Sequence, residues 1–135
     1  MVIIIGLVLI SNSQKQIKEV IVGGKTFFVE LAKTEVEQNR GLSLHVPLLD
    51  NRGMLFVFQK PDLYGFWMKD MLFPLDIIWI DGELRIIHIE KSILPDTYPK
   101  TFYPESKSLY VLEISAGQSD ILNIKTGDTV KFVKN

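Results

Sequence analysis

Between Trp67 and Asp76 the chain places an indole, an ammonium group and two carboxylates: Trp67, Lys69, Asp70 and Asp76. A lysine and a carboxylate beside a tryptophan can hold a polar ligand against an aromatic face. On an extended chain Trp67 and Lys69 share one face and Met68 takes the other. If residues 64–69 pair with residues 75–80, Lys69 falls near Asp76. The same types also suit a structural ion pair that neutralises two partly buried charges. Asp76 stands in LDIIWID, where alternation puts Leu75, Ile77 and Trp79 on one face and Asp76, Ile78 and Ile80 on the other. A carboxylate on an apolar face must be paired or hydrogen-bonded. Its candidate partners are Lys69, Arg40 and the backbone N–H groups of residues 70–74. Glu113, in Tyr110-Val111-Leu112-Glu113, shares its face with Leu109 and Val111, so a buried partner is expected for it too. Arg40 ends a predicted helix, where a cation suits the negative end of the dipole. Its functional alternative is a bidentate grip on a carboxylate or phosphate.

Hydrolytic chemistry of the glycosidase kind needs two acids at a defined separation. Asp76 with Asp70 or Glu113 is the pair this sequence offers for it. Other chemistries lack their residues. There is no cysteine, which removes disulfides, thiolate metal sites and thiol nucleophiles. Two histidines, His45 and His88, cannot build a histidine-rich metal cluster within one chain. Ser43, Ser115 and Ser119 lack a nucleophile elbow. The net charge is −1, with no run of Lys or Arg, and a nucleic-acid partner needs a basic face. No cofactor and no metal is called for.

The elements that must position these residues read mainly as strands. IKEVIV, residues 17–22, and TFFVELA, residues 26–32, flank Gly23-Gly24, a two-residue hairpin signal. Thr34-x-x-Glu37 is a capping box that opens a short helix, and Gly41 stops it. MLFVF, residues 54–58, reads as a strand covered on both faces, followed by a turn at Gln59–Leu63. YGFWMK, residues 64–69, is a predicted strand in which Gly65 marks a bulge. LDIIWI, residues 75–80, turns at Asp81-Gly82 into ELRIIHIE, residues 83–90. Residues 91–108 hold three prolines with Tyr98, Phe102 and Tyr103, and read as a long loop serving as a lid or partner surface, or folded back onto the barrel as a plug. LYVLEI, residues 109–114, is a strand, Ser115-x-x-Gln118 caps a second short helix, and TVKFV, residues 129–133, closes the chain as a strand. These elements predict a mainly β domain: an antiparallel sandwich or partly closed barrel of about eight strands with two short helices.

With 135 residues, 47% of them hydrophobic, the chain suits one domain with one core. Residues 1–10, MVIIIGLVLI, are too few to span a bilayer, which takes about 20 residues. They read as the end of a trimmed signal-anchor, as a core strand, or as an exposed tail. SNSQKQ then reads as a polar spacer, which assigns 1–16 to an apolar segment and linker and 17–135 to the domain.

Several segments occur together in a fixed order. They are Arg40-Gly41-Leu42, Gly53-Met54-Leu55-Phe56-Val57-Phe58, Phe66-Trp67-Met68-Lys69, Pro74-Leu75-Asp76-Ile77-Ile78, Tyr110-Val111-Leu112-Glu113, Ala116-Gly117 and Gly127-Asp128. The ordered set resembles the DUF192 family, also called UPF0127, over residues 26–133. The resemblance implies a single β-rich domain, commonly behind a signal peptide or membrane anchor, and implies no reaction. Two positions depart from the family pattern. Ser43 stands where Met usually follows Gly-Leu, and Asp70-Met71 stands where Asn-Thr usually follows Trp-Met-Lys.

The leading expectation is a non-catalytic, extracytoplasmic domain, anchored through residues 1–10, that binds a small polar ligand, a glycan or a peptide. Its site would be drawn from Trp67, Lys69, Asp70, Asp76, Arg40 and Glu113. The alternatives are a hydrolase using Asp76 with a second carboxylate, and a structural partner of a membrane complex.

Overall fold

The computed structural model describes residues 15–135. Residues 1–10, and the anchor expected there, lie outside that range. Nine strands and two short helices follow: β1 (Ile17–Val22), β2 (Lys25–Ala32), α1 (Glu35–Arg40), β3 (Arg52–Asp62), β4 (Phe66–Trp67), β5 (Leu75–Ile80), β6 (Ile86–Ile93), β7 (Thr101–Phe102), β8 (Ser108–Ser115), α2 (Gln118–Ile121) and β9 (Lys131–Lys134). Seven strands form one sheet in the order β6-β5-β8-β3-β2-β1-β9, and β4 pairs with β7 in a small second sheet.

The β-rich class and the two short helices are as expected. The sheet, however, is mixed. α1 and the connection after it carry the chain across, so β2 and β3 run parallel, Phe28 to Ala32 beside Arg52 to Phe56. The large sheet does not close into a barrel. One bridge, Arg85 with Thr129, and the Ile86 N–H donated to the Asp128 carbonyl at 2.8 Å tie its two edges at a single corner.

Local chemistry explains most boundaries. Gly23 and Gly24 supply φ of 59° and 74°, the left-handed values a two-residue hairpin needs. In α1 both arms of the capping box form: Glu37 N–H donates to Thr34 Oγ1 at 3.1 Å, and Thr34 N–H donates to Glu37 Oε1 at 3.0 Å. Four expectations are corrected. Gln59–Leu63 is no turn, because β3 runs on to Asp62; its register with β8 shifts after Val57, and Pro61 sits in that irregular stretch, where a ladder donor is dispensable. Residues 64–69 do not pair with 75–80, because both edges of β5 are already taken by β6 and β8. Residues 91–108 are no free loop: β6 reaches Ile93, a 3-10 turn spans Pro95–Thr97, and β7 pairs with β4. Ser115 does not cap α2; it ends β8, and its hydroxyl donates to the Leu48 carbonyl at 3.1 Å.

Apolar clusters cover both faces of the sheet. One contains Val20, Phe27, Leu55, Ile78, Ile80, Leu112 and Ile114. The other contains Phe56, Met68, Met71, Leu75, Ile77, Trp79 and Val111. β5 is buried along its whole length and feeds both, as its alternation requires. Trp79 is the largest side chain at full burial, and its Nε1–H donates to the Tyr64 carbonyl at 2.8 Å. Trp79→Ala is expected to lower stability in urea unfolding by about 3–5 kcal/mol. Trp79→Phe, which keeps a ring but loses the donor, should cost less.

Candidate functional site

The second cluster does not reach the surface evenly. Between α1 and β4 it leaves a cleft of about 420 Å³. Phe56 and Phe58 of β3 and Glu113 of β8 form its floor, Arg40 to Ser43 one wall, and Tyr64 to Lys69 the other.

Each wall is fixed by identifiable contacts. Gln38 of α1 donates through Nε2 to the Val57 carbonyl at 2.9 Å, seating the helix on β3, and Arg40 follows in its last turn. The opposite wall hangs on aromatic edges. Phe66 packs edge-on against Phe56, with ring centroids 4.8 Å apart, and against Trp79 at 5.8 Å. Tyr64 stacks on Phe58, and its hydroxyl donates to the Lys60 carbonyl. Burial, and then the Asp62 charge, raise the Tyr64 phenol above its ordinary range. Gly65 does not mark a bulge. It permits close approach, since a Cβ there would lie 2.5 Å from the Tyr103 ring. Trp67 is 47% exposed, flanked by Tyr98 and with Lys69 Nζ 5.6 Å from its ring centroid. The walls meet at one seam: Ser43 Oγ donates to the Lys69 carbonyl at 3.0 Å, and Leu44 N–H to the Asp70 carbonyl at 2.8 Å.

Of the six candidate residues, the structure brings Arg40, Trp67, Lys69 and Glu113 to the cleft. Asp70 lies in the turn beyond it, with φ of 57°, a left-handed value that Asn and Asp tolerate best. Asp76 points to the opposite sheet face. It is fully buried and accepts from Ser92 N–H at 2.8 Å, Gly117 N–H at 3.1 Å and Ser119 N–H at 2.8 Å. These partners are neither Lys69 nor Arg40 nor the 70–74 backbone. α2 lacks a side-chain cap of its own, and Asp76 supplies one from β5. An acid pair of Asp76 with Glu113 therefore does not flank a common space.

Glu113 departs from expectation in the other direction. It is 5% exposed, and its Oε2 has no hydrogen-bond partner among the described residues. Its ladder neighbours on this face are Met54 of β3 and Ile77 of β5. Loss of water pushes its carboxyl from 4.5 to about 8, so it is mostly protonated at neutral pH. His45 and His88 lie elsewhere, 3.8 Å from Glu30 and 3.0 Å from Glu90. Phe58 and Tyr64 are the lining residues that sequence reasoning missed, because each read only as the end of a predicted strand beside the turn at Gln59–Leu63.

A family model for DUF192, described as Uncharacterized ACR, matches residues 18–132. The chain belongs to the DUF192 family. Four segments on which the resemblance rests contribute to the cleft: Arg40-Gly41-Leu42, the Phe56–Phe58 stretch, Phe66–Lys69, and Glu113. Among solved structures, this DUF192 domain is similar to a protein of unknown function from Novosphingobium aromaticivorans DSM 12444, at 36% identity and a TM-score of 0.81, covering 90% of this chain and 89% of that one. It is also similar to a Sinorhizobium meliloti 1021 protein described with a proposed role in transcription regulation, at 27% identity and a TM-score of 0.80, covering 87% and 95%. No curated protein matches.

Glu113 makes stability depend on pH with a definite sign. Its folded value is raised, so the folded state holds a proton that the unfolded state releases. Its favourable contribution is complete below about pH 4.5 and is lost as pH rises through about 8. Denaturation between these limits should show stability falling by up to ~1.4 kcal/mol per pH unit. Glu113→Gln should flatten that slope.

Proposed function

We propose that this domain is a binding module whose α1–β4 cleft takes a small polar ligand with an anionic group and an apolar body. The carrying observation is the convergence of Arg40 and Lys69 with the Tyr64, Phe66 and Trp67 rings on one cleft of about 420 Å³. That volume suits a small molecule, and apolar walls with a few placed polar groups are what such sites contain. The two cations attract a carboxylate or phosphate, and the rings cover its hydrocarbon part. Asp76, committed to three backbone donors, is not offered as a catalytic acid. We place the domain outside the cytoplasm, on the support of the apolar run MVIIIGLVLI and the polar spacer after it.

Trp67 gives the test its signal, being half exposed at the cleft while Trp79 is fully buried. Titration with citrate, glutamate, inorganic phosphate and N-acetylglucosamine is expected to shift the emission of Trp67 for at least one of the anions. Trp67→Phe should abolish the shift. Arg40→Ala and Lys69→Met should each weaken the same anion about tenfold or more while leaving thermal unfolding unchanged. Silence across the anions, with the fold intact, overturns the proposal.

A further inference from the structure

We infer that the ligand is a zwitterion of amino-acid size, whose carboxylate meets Arg40 and Lys69 and whose ammonium group meets Glu113. This inference rests on the binding reading above and adds the second charge. The decisive feature is the orphaned Oε2 of Glu113, buried at the cleft floor with no partner among the described residues. A buried polar group without a partner is costly, and a ligand ammonium that pairs with the Glu113 carboxyl where it lines the cleft recovers that cost. A purely anionic ligand leaves the carboxyl orphaned. A purely cationic one meets Arg40 and Lys69 at the same cleft. A ligand with both charges satisfies both ends. The rings of Phe56, Phe58, Tyr64, Phe66 and Trp67 favour an organic cation among them, because their faces are electron-rich.

The charged and titratable groups around Glu113 are few. Arg40 comes from α1, Lys69 and Tyr64 from the β4 wall, and the flanking strands β3 and β5 present Met54 and Ile77. No second acid lines the cleft among the described residues, so Glu113 is the natural acceptor for an ammonium. In the free protein its carboxyl is mostly protonated near neutral pH. Pairing with an ammonium then expels that proton to solvent, leaving a carboxylate–ammonium pair and one free proton. A neutral ligand accepting a hydrogen bond from the protonated acid would release none.

Isothermal titration of the full chain with the free L-amino acids and glycine betaine, in PIPES and in Tris, distinguishes these cases. At least one free amino acid is expected to bind. Its N-acetyl derivative and its decarboxylated amine should bind about tenfold more weakly or worse, because each lacks one charge. Near pH 7 the two buffers should report release of about one proton, and affinity should rise up to ~10-fold per pH unit toward pH 8. Glu113→Gln, close in shape and free of the ionisation penalty, should stay folded by circular dichroism. It should lose both the proton release and the preference for the amine-bearing compound. Equal binding of the N-acetyl compound, or affinity that falls toward pH 8, overturns the zwitterion while leaving an anion-binding cleft intact. Failure of every compound here and of every anion in the fluorescence titration overturns both.

Discussion

Asp76 holds the domain together from its middle. Its two oxygens receive three backbone N–H groups from residues 16, 41 and 43 positions away in sequence. Each belongs to irregular backbone that a sheet alone cannot satisfy. Ser92 lies where the β5–β6 register shifts, with φ of 50°, and Gly117 and Ser119 begin a helix too short to stabilise itself. Without the carboxylate these donors would be orphaned beside a fully buried strand, at a cost of about 1–3 kcal/mol each. The price of burying an acid is offset because the acid replaces three missing partners at once. β5 is thereby fixed in the sheet, and its opposite face presents Trp79, from which the β4 wall of the cleft is suspended.

Glu113 is the counterpart that lacks this compensation. It sits on the neighbouring strand, opposite Ile77, and so one step from Asp76 and on the other face. Both are buried carboxyls in apolar surroundings. One is surrounded by donors; the other faces Met54, Ile77 and a cleft. The difference is topological. The Asp76 face receives the bulge of β6 and the start of α2, where the backbone has N–H groups to spare. The Glu113 face receives aromatic and methionine side chains, which have almost none. A stability role therefore accounts for the first acid and fails for the second.

Much of this was legible from the sequence. The period-2 alternation of LDIIWI correctly separated Asp76 from Leu75, Ile77 and Trp79. Thr34-x-x-Glu37 and Gly23-Gly24 signal through contacts within four residues, so both were readable. What failed were pairings set by distant segments. Nothing local to YGFWMK shows that β5 has no free edge, or that the segment must pair with Thr101–Phe102. That single error moved Lys69 to Asp76, when it belongs with Arg40 and Glu113. Glu113 itself was found as an anomaly, an acid among apolar residues. Whether such an acid has a partner depends on neighbouring strands that its own segment does not name.

The cleft owes its existence to two chain segments that approach without pairing as strands. α1 arrives on β3 through Gln38, and the β4 segment arrives through Phe66 and the Tyr64 carbonyl. Sheet pairing would have drawn them to a spacing of about 4.8 Å and left no room. Instead they are joined by hydrogen bonds at the seam, where Ser43 and Leu44 donate to the carbonyls of Lys69 and Asp70. Ser43 and Asp70 both fall on this seam. Asp70 keeps the left-handed geometry that Asn would also tolerate, and Ser43 adds a side-chain donor. The seam fixes the separation of the walls at one end, and the Phe56–Phe66–Trp79 edge contacts fix it along the floor. Arg40, Lys69 and Glu113 are thus held by parts of the chain that do not move independently. Walls joined this way are ordered in advance, which lowers the ordering cost that any ligand entering the cleft would have to offset.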